Sequence, residues 1–333
     1  MLDGPGIYDA LYGLAAGGQR EQALFGDCAP LAHQAFVRSL AGDEFPLLWF
    51  EVPLSGDPRF DLHVALSRSA LKEGVQFLAG AGNGYDALLD WYACEEQGGG
   101  GLAFAYDVSE GKIDNPAVHV NVNRVPLSDM GRFFDLAAGA GAAQRYASFA
   151  GSLVQGWCVW YAGVHPGRPG SPVRVDCFVN PALKDAYADD LGLFERDLQS
   201  CGFSATGPAL RELAEPILAS PFALELQFDV LEDGTPGPTL GVSAAFSLGL
   251  SDDVHALFEE PGAGARLMGE IEGLGLSDGR WRHVPDTAFS KLVALDGDAL
   301  AMFCAPTFVK LRMRDGEALD AKMYLQAGAS VLA

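Results

Sequence analysis

The sequence predicts an α/β protein of repeated helix–hairpin units that closes into a ten-stranded antiparallel β-barrel surrounded by α-helices. Three observations carry this. Paired segments with a two-residue period begin near residues 47, 102, 157, 222 and 307. Segments with helical spacing stand between the pairs. In each pair, polar residues occupy alternate positions and Leu, Val, Phe, Met or Ala fill the places between. Strand side chains alternate in direction, so each pair has one apolar and one polar face. Ten strands in an open sheet leave two bare edges, and closure removes them.

Taken in order, Ile7 to Arg20 and Leu31 to Leu40 carry apolar residues at helical spacing. They place N-terminal helices within residues 1–45 of one domain spanning 1–333. The first hairpin covers 46–67, with strands Pro46 to Leu54 and Phe60 to Ser67 around Ser55-Gly56-Asp57-Pro58. Tyr85 to Glu96 reads as a helix, ended by Gly98 to Gly101. The second hairpin, 102–122, has strands Leu102 to Val108 and Ala117 to Val122. Asp129 to Val154 is helical, with a break near Gly139 to Gly141.

The third hairpin, 157–179, has strands Trp157 to Val164 and Val173 to Val179. Its connection, HPGRPGSP, is too rich in proline and glycine for regular structure. Ala182 to Gln199 and Pro208 to Leu218 are helical, the second interrupted by Pro216. The fourth hairpin, 222–248, turns at EDGTPGP. Asp252 to Phe258 and Gly264 to Ile271 are helical, and Gly273 to Asp298 shows no usable period. The fifth hairpin, 307–326, turns at Asp315-Gly316.

Composition bounds the function. Of 333 residues 49% are hydrophobic and 20% charged, enough apolar content for a large core. The formal net charge of -22 argues against nucleic acid and anionic membrane as partners. No apolar run is long enough to span a bilayer, and the start lacks a basic segment followed by an apolar one. The six cysteines form no CxxC and have no zinc-ligand spacing, which suits isolated reduced thiols in a cytoplasmic protein. The glycines at 82–84 and 98–101 match no phosphate-binding loop and read as turns.

A barrel of this kind puts the polar strand faces in its lumen. Those faces carry Asp61 and His63; His119, Asn121 and Asn123; Arg174 and Asp176; Glu225, Gln227 and Asp229; Lys310, Arg312 and Arg314; and Lys322, Tyr324 and Gln326. The fifth hairpin stands out. Basic residues are scarce, yet Lys310, Arg312, Arg314 and Lys322 fall within thirteen residues. Like charges facing one another across a hairpin repel, so an anion has to offset them. Acids on neighbouring strands, such as Glu225 and Asp229, can do so, and so can an anionic ligand.

In element order over nearly the whole chain, and in strands ending K-x-R and K-x-Y, the sequence resembles the PT-barrel (ABBA-fold) aromatic and peptide prenyltransferases. That resemblance implies a lumen that holds an allylic diphosphate donor and an aromatic small molecule or peptide acceptor. It implies Glu51, in LLWFEVPL, as the first-strand acid that orients or deprotonates the acceptor, with His63 on the adjoining strand as a second catalytic candidate. Arg174, Lys310, Arg312 and Lys322 are the implied diphosphate ligands. Tyr324, with Trp160 or Tyr161, is the implied aromatic shield for the allyl cation. His119, Asn121 and Gln227 complete the substrate-binding candidates. The second strand has Asp61 and His63 where relatives commonly place Arg or Lys. No cofactor is required by the sequence; with no DDxxD run, magnesium has only Asp176 as a protein partner to suggest it.

Two other functions fit the same residues. One is a non-catalytic barrel that binds an anionic or amphipathic small molecule. The other is a pentein-type hydrolase using Cys304 with His119 or His165, although penteins use three-stranded repeats.

Overall fold

The computed structural model describes residues 4–18, 22–38, 45, 47–66, 85–94, 101–108, 111, 116–122, 127–139, 141–166, 170, 172–204, 207–246, 254–259 and 261–332. Asn123 and the glycines at 82–84 and 98–100 lie outside these residues. Eleven strands are described: β1 (Leu47–Pro53), β2 (Asp61–Leu66), β3 (Leu102–Tyr106), β4 (Ala117–Asn121), β5 (Trp157–Val164), β6 (Val173–Val179), β7 (Ala223–Val230), β8 (Pro236–Ala245), β9 (Phe289–Leu295), β10 (Asp298–Arg314) and β11 (Glu317–Leu332). Each of β1 to β7 pairs antiparallel with the next, β8 pairs with β10, β10 with β11, and β11 returns to β1. Ten strands therefore close into a barrel surrounded by helices, the architecture of a PT barrel.

Alternation decides which side chains face out. Leu48, Phe50, Val52, Leu62 and Val64 of the first hairpin are fully buried against helices. Phe25, Phe50 and Phe60 pack edge to face there, with ring centroids 5.3–5.5 Å apart. The same holds around the ring for Val118 and Val120, Val173 and Val175, Leu224 and Leu226, Val309 and Leu311, and Ala321 and Met323. The main hydrophobic core is thus a sleeve between barrel and helices, and the polar faces are left to the lumen. No helix among the described residues is long and apolar enough to cross a membrane.

Local chemistry sets the helix limits. The Asn180 side chain accepts from Ala182 N at 2.9 Å and Pro181 occupies the first turn, so a helix starts at Pro181. Asp190 ends that helix and caps the next through Gly192 N, so the expected single helix from Ala182 to Gln199 is two, Pro181–Asp189 and Leu191–Ser200. The expected interruption at Pro216 does not occur: Pro208–Ala219 is one helix containing it. Pro216 forgoes one bond, from its own nitrogen to the Glu212 carbonyl, and the helix continues past it to Ala219.

The fifth hairpin is longer than its sequence period indicated. β10 starts at Asp298, and its first residues pair with β9 on one flank and with the end of β11 on the other. Beyond the barrel rim these three strands continue as a small sheet. The stretch assigned no regular structure, 273–298, contains a 3-10 turn at Arg280–His283, a helical turn at Val284–Thr287 and all of β9.

One glycine is fixed by close approach. On β5, a Cβ at Gly163 would lie 2.5 Å from His119 Nδ1 and 2.5 Å from the Val118 carbonyl oxygen on β4. The imidazole cannot occupy its place beside any larger residue. Gly163→Ala is expected to destabilise the protein by roughly 1–3 kcal/mol, the usual cost of overpacking. Chemical denaturation measures it, and an unchanged midpoint would show that the ring relaxes freely.

Candidate functional site: a charged lumen with an aromatic wall

β10 and β11 supply one wall. Phe308, Lys310 and Arg312 alternate inward on β10, and Asp320, Lys322 and Tyr324 on β11. Lys310 and Lys322 are register partners, so two ammonium groups start from adjacent positions. They diverge. Lys322 Nζ bonds Glu51 Oε1 on β1 and lies 3.6 Å from Asp61 Oδ2 on β2. Lys310 turns to the other side, donating to Gln227 Oε1 on β7 at 3.3 Å. Gly241 on β8 makes room for it, since a Cβ there would come within 3.1 Å of Lys310 Cδ.

The two arginines are held as forks. Arg174 Nε and Nη2 donate to the two oxygens of Asp229 at 2.8 and 3.1 Å. Arg312 Nε donates to Asp320 Oδ1 at 2.7 Å, and its Nη2 bonds Asp320 Oδ2. Guanidinium has five N–H donors, so each fork keeps N–H groups in reserve. Among the described residues, then, each lumen cation is met by a carboxylate or an amide. Acids do offset the cationic hairpin, but they are Glu51 and Asp61 at Lys322 and Asp320 at Arg312; of the two anticipated, Asp229 holds Arg174 instead.

Phe308 and Tyr324 stack at 4.0 Å with their planes 18° apart. The Lys310 ammonium sits 4.6 Å from the Tyr324 ring centroid, a cation–π geometry. The Tyr324 hydroxyl is buried without a well-formed hydrogen bond. Burial and the nearby Glu51 carboxylate raise its pKa well above the usual phenol range.

Glu51 joins the charge network to the imidazoles. Its Oε2 lies 3.0 Å from His63 Nε2. Burial works against ionisation, but Lys322, the His63 hydrogen bond and Lys310 outweigh it and hold Glu51 below the ordinary carboxylate range. The His63 ring stands edge-on to Tyr324 at 5.9 Å and stacks over His119 at 6.3 Å. His119 in turn meets His165 at 5.2 Å.

The facing carboxylates behave differently. Gln227 Nε2 donates to Asp176 Oδ1 at 2.5 Å, so one amide links Asp176 to Lys310. Burial raises the Asp176 pKa against the pull of Lys310, Arg174 and Gln227. Burial and Asp176 push Glu225 up to about 8, with Lys310 opposing. Burial pulls Lys310 down to about 8. Near neutral pH Glu225 is therefore mostly protonated and Lys310 mostly charged. Among the described residues no three His, Cys, Asp or Glu side chains converge as a metal site, and Asp176 is engaged with Gln227 and the lumen cations.

Several of the residues singled out from sequence come together: Glu51, His63, Lys310, Lys322, Tyr324 and Gln227 form one connected group. Trp160 and Tyr161 do not join Tyr324. They lie on β5, the strand opposite β11 in the ten-membered ring. A β-bulge between Val159 and Tyr161 displaces Trp160, which is 37% exposed and meets Phe178 at 5.3 Å. Phe308 takes the place they were expected to fill. Asn121, buried on β4, pairs in register with Tyr161 on that same distant wall. Sequence reasoning misses Asp320 and Phe308, although each stands two residues from a lysine and so on its face.

The pentein alternative is corrected. The repeats that build the barrel are two-stranded. Cys304 is buried on the face of β10 that it shares with Leu300 and Met302, and burial raises its thiol to about 12. A thiol so rarely ionised is a poor nucleophile.

No protein-family model matches the chain, and no curated protein matches it. Among solved structures it is similar to the crystal structure of AnaPT from Neosartorya fischeri, at 15% identity, over 98% of this chain and 87% of that chain, with a TM-score of 0.43.

Proposed function

We propose that the lumen transfers an allylic prenyl group from its diphosphate to an aromatic small molecule or a peptide side chain. The observation that carries this is the Lys310 ammonium over the Tyr324 ring, with Phe308 stacked behind it. A wall that seats one cation on an aromatic face beside further fixed cations suits a reaction that separates a carbocation from an anion.

Each residue has a distinct task in such a reaction. Ionisation breaks the C–O bond and leaves negative charge on pyrophosphate. Lys310, with N–H groups beyond its Gln227 bond, and the reserve N–H groups of Arg174 and Arg312 stabilise that charge. Asp229 and Asp320 hold the two forks in orientation. Tyr324 and Phe308 face the allyl cation and shield it from water. The acceptor's electron pair then bonds the allyl carbon, and the acceptor atom that bonded it gives up its proton. With Nε2 turned to Glu51, the His63 ring presents Nδ1 as the nitrogen that takes the acceptor's proton. His63 is thus the base and Glu51 its positioning partner.

The internal ion pairing of Arg174, Arg312 and Lys322 favours a second reading, a barrel that binds an amphipathic anion without turning it over. One experiment separates the two. The protein is incubated with dimethylallyl or geranyl diphosphate and with tryptophan, tyrosine or a tryptophan-containing peptide, with and without magnesium. Pyrophosphate release is measured together with acceptor mass. Prenylated product is the expected result. Diphosphate binding with no product assigns the barrel to the second class, and no diphosphate binding sinks both.

A further inference from the structure

The three-stranded extension beyond the barrel rim ends in an open edge. β9 pairs with β10 through Phe289↔Cys304 to Leu295↔Asp298, and no strand among the described residues pairs with its other side. Its free N–H and C=O groups form a ladder spaced for an extended main chain. The strand, FSKLVAL, has no proline and no bulge in its pairing, and Lys291 is its single edge-blunting charge. Leu292, at its centre, is 76% exposed.

The face of this extension is also unusual. Leu292 is in register with Ala301, and Ala301 with Ser330; Ala294 is in register with Ala299, and Ala299 with Leu332. Residues level across a sheet share a face, so Leu292, Ala294, Ala299, Ala301, Ser330 and Leu332 form a small-residue, apolar surface. Alternation along β10 carries that face through Phe303 and Ala305, and the register shift between Pro306 and Phe308 then brings it onto Phe308 and the lumen wall. β8 and β9 pair with the same flank of β10, β8 ending beside Phe308 and β9 starting beside Cys304. Four residue steps separate those points, about 13 Å at strand spacing.

We propose that β9 and this face dock an extended polypeptide, the acceptor chain, as an added strand whose end at Phe289 leads over the rim into the lumen. The proposal rests on the peptide arm of the proposed transfer reaction. A main chain is the ligand whose alternating donors and acceptors match a bare strand edge. A second copy of this protein is the weaker occupant: one seven-residue strand leaves a symmetric contact short of the roughly 1,200 Å² that stable pairs bury. The small residues on the face leave room for the guest's own side chains.

The test separates docking from turnover. The probe is a fluorescein-labelled nine-residue peptide of alternating valine and threonine with one tryptophan near its end. A control copy carries N-methyl groups on alternate amides along one edge and then along the other. Binding is read by fluorescence anisotropy, which needs no prenyl transfer. The expected result is saturable binding, weakened about tenfold or more by Leu292→Lys and by one of the two N-methylation patterns. If transfer occurs, Leu292→Lys should raise KM for the peptide at least tenfold and leave turnover of free tryptophan unchanged. Equal binding by the variant and by both N-methylated peptides would overturn the proposal. So would light scattering that gives a dimer mass for the wild type and a monomer mass for Leu292→Lys. Binding without transfer would refute the transfer reaction and leave the docking site standing.

Discussion

Asp229→Ala should cost the folded protein roughly 3–5 kcal/mol, the largest loss expected from any single lumen substitution. Arg174 and Asp229 expose only 11% and 16% of their side chains. Removing the carboxylate leaves a guanidinium in a poorly solvated wall, with its bidentate bonds broken. Asp176 also acts on Arg174 but is already bonded to Gln227. The cost comes from the stranded charge rather than from the net worth of the pair. The double variant Arg174→Met, Asp229→Leu should therefore recover most of the loss. Urea denaturation of the three proteins checks this. A single-variant loss below about 1 kcal/mol, or no recovery in the double variant, would mean that water already solvates the pair.

The second large effect concerns ligand affinity. Lys310→Ala should weaken binding of pyrophosphate or an unreactive thiolated prenyl diphosphate by roughly 10- to 150-fold, the range of about 1.5–3 kcal/mol for a lost charged hydrogen bond. Wild-type affinity should also fall as pH rises from 7 to 9. Lys310 and Glu225 both titrate near 8, as an interacting pair. Above that pH the ammonium loses its positive charge and the carboxyl gains a negative one, so both changes oppose an anion. Folding responds differently. Lys310 lies below its unfolded value of 10.5, so its charged form opposes folding and stability rises through pH 8 to 10.5 on its account. Glu225 lies above its unfolded value of 4.5, so its share of stability falls between 4.5 and 8. Glu225→Gln combined with Lys310→Arg should flatten the affinity profile. Calorimetric titration across the pH range measures it, and a wild-type affinity constant from pH 7 to 9 would contradict the assignment.

Much of the fold and the lumen is legible in the sequence because strands write their faces at every second residue. Polar alternation in FDLHVALS, ALELQFDV and FVKLRMR places Asp61, His63, Glu225, Gln227, Asp229, Lys310 and Arg312 in the lumen without coordinates. Closure follows from the cost of bare edges. What fails is of two kinds. Contacts between distant strands have no local signature. That Lys322 reaches Glu51 while Lys310 reaches Gln227 depends on barrel register, which no alternation encodes. Trp160 escapes the alternation because a bulge shifts it by one residue. β9 is a different failure. Asp296-Gly297 between apolar residues is a strong hairpin signal, and both residues have the positive φ of such a turn, as Asp315-Gly316 do. The signal is present in VALDGDAL and is outweighed by the irregular stretch before it.

The self-neutralised lumen has a consequence for how an anion enters it. Three of the four cations already have carboxylate counterions of their own, fixed to neighbouring strands, and the fourth, Lys310, has an amide. Ligand entry is then an exchange of partners inside the protein rather than the addition of charge to a vacant positive hole. Small mobile anions such as chloride or inorganic phosphate gain little by competing with carboxylates already in place. An incoming anion gains more when it brings a greasy tail for Phe308 and Tyr324 as well as charge. Internal carboxylates of this kind act as a threshold that sets amphipathic anions apart from simple ones, even though they contribute no contact to the anion they admit.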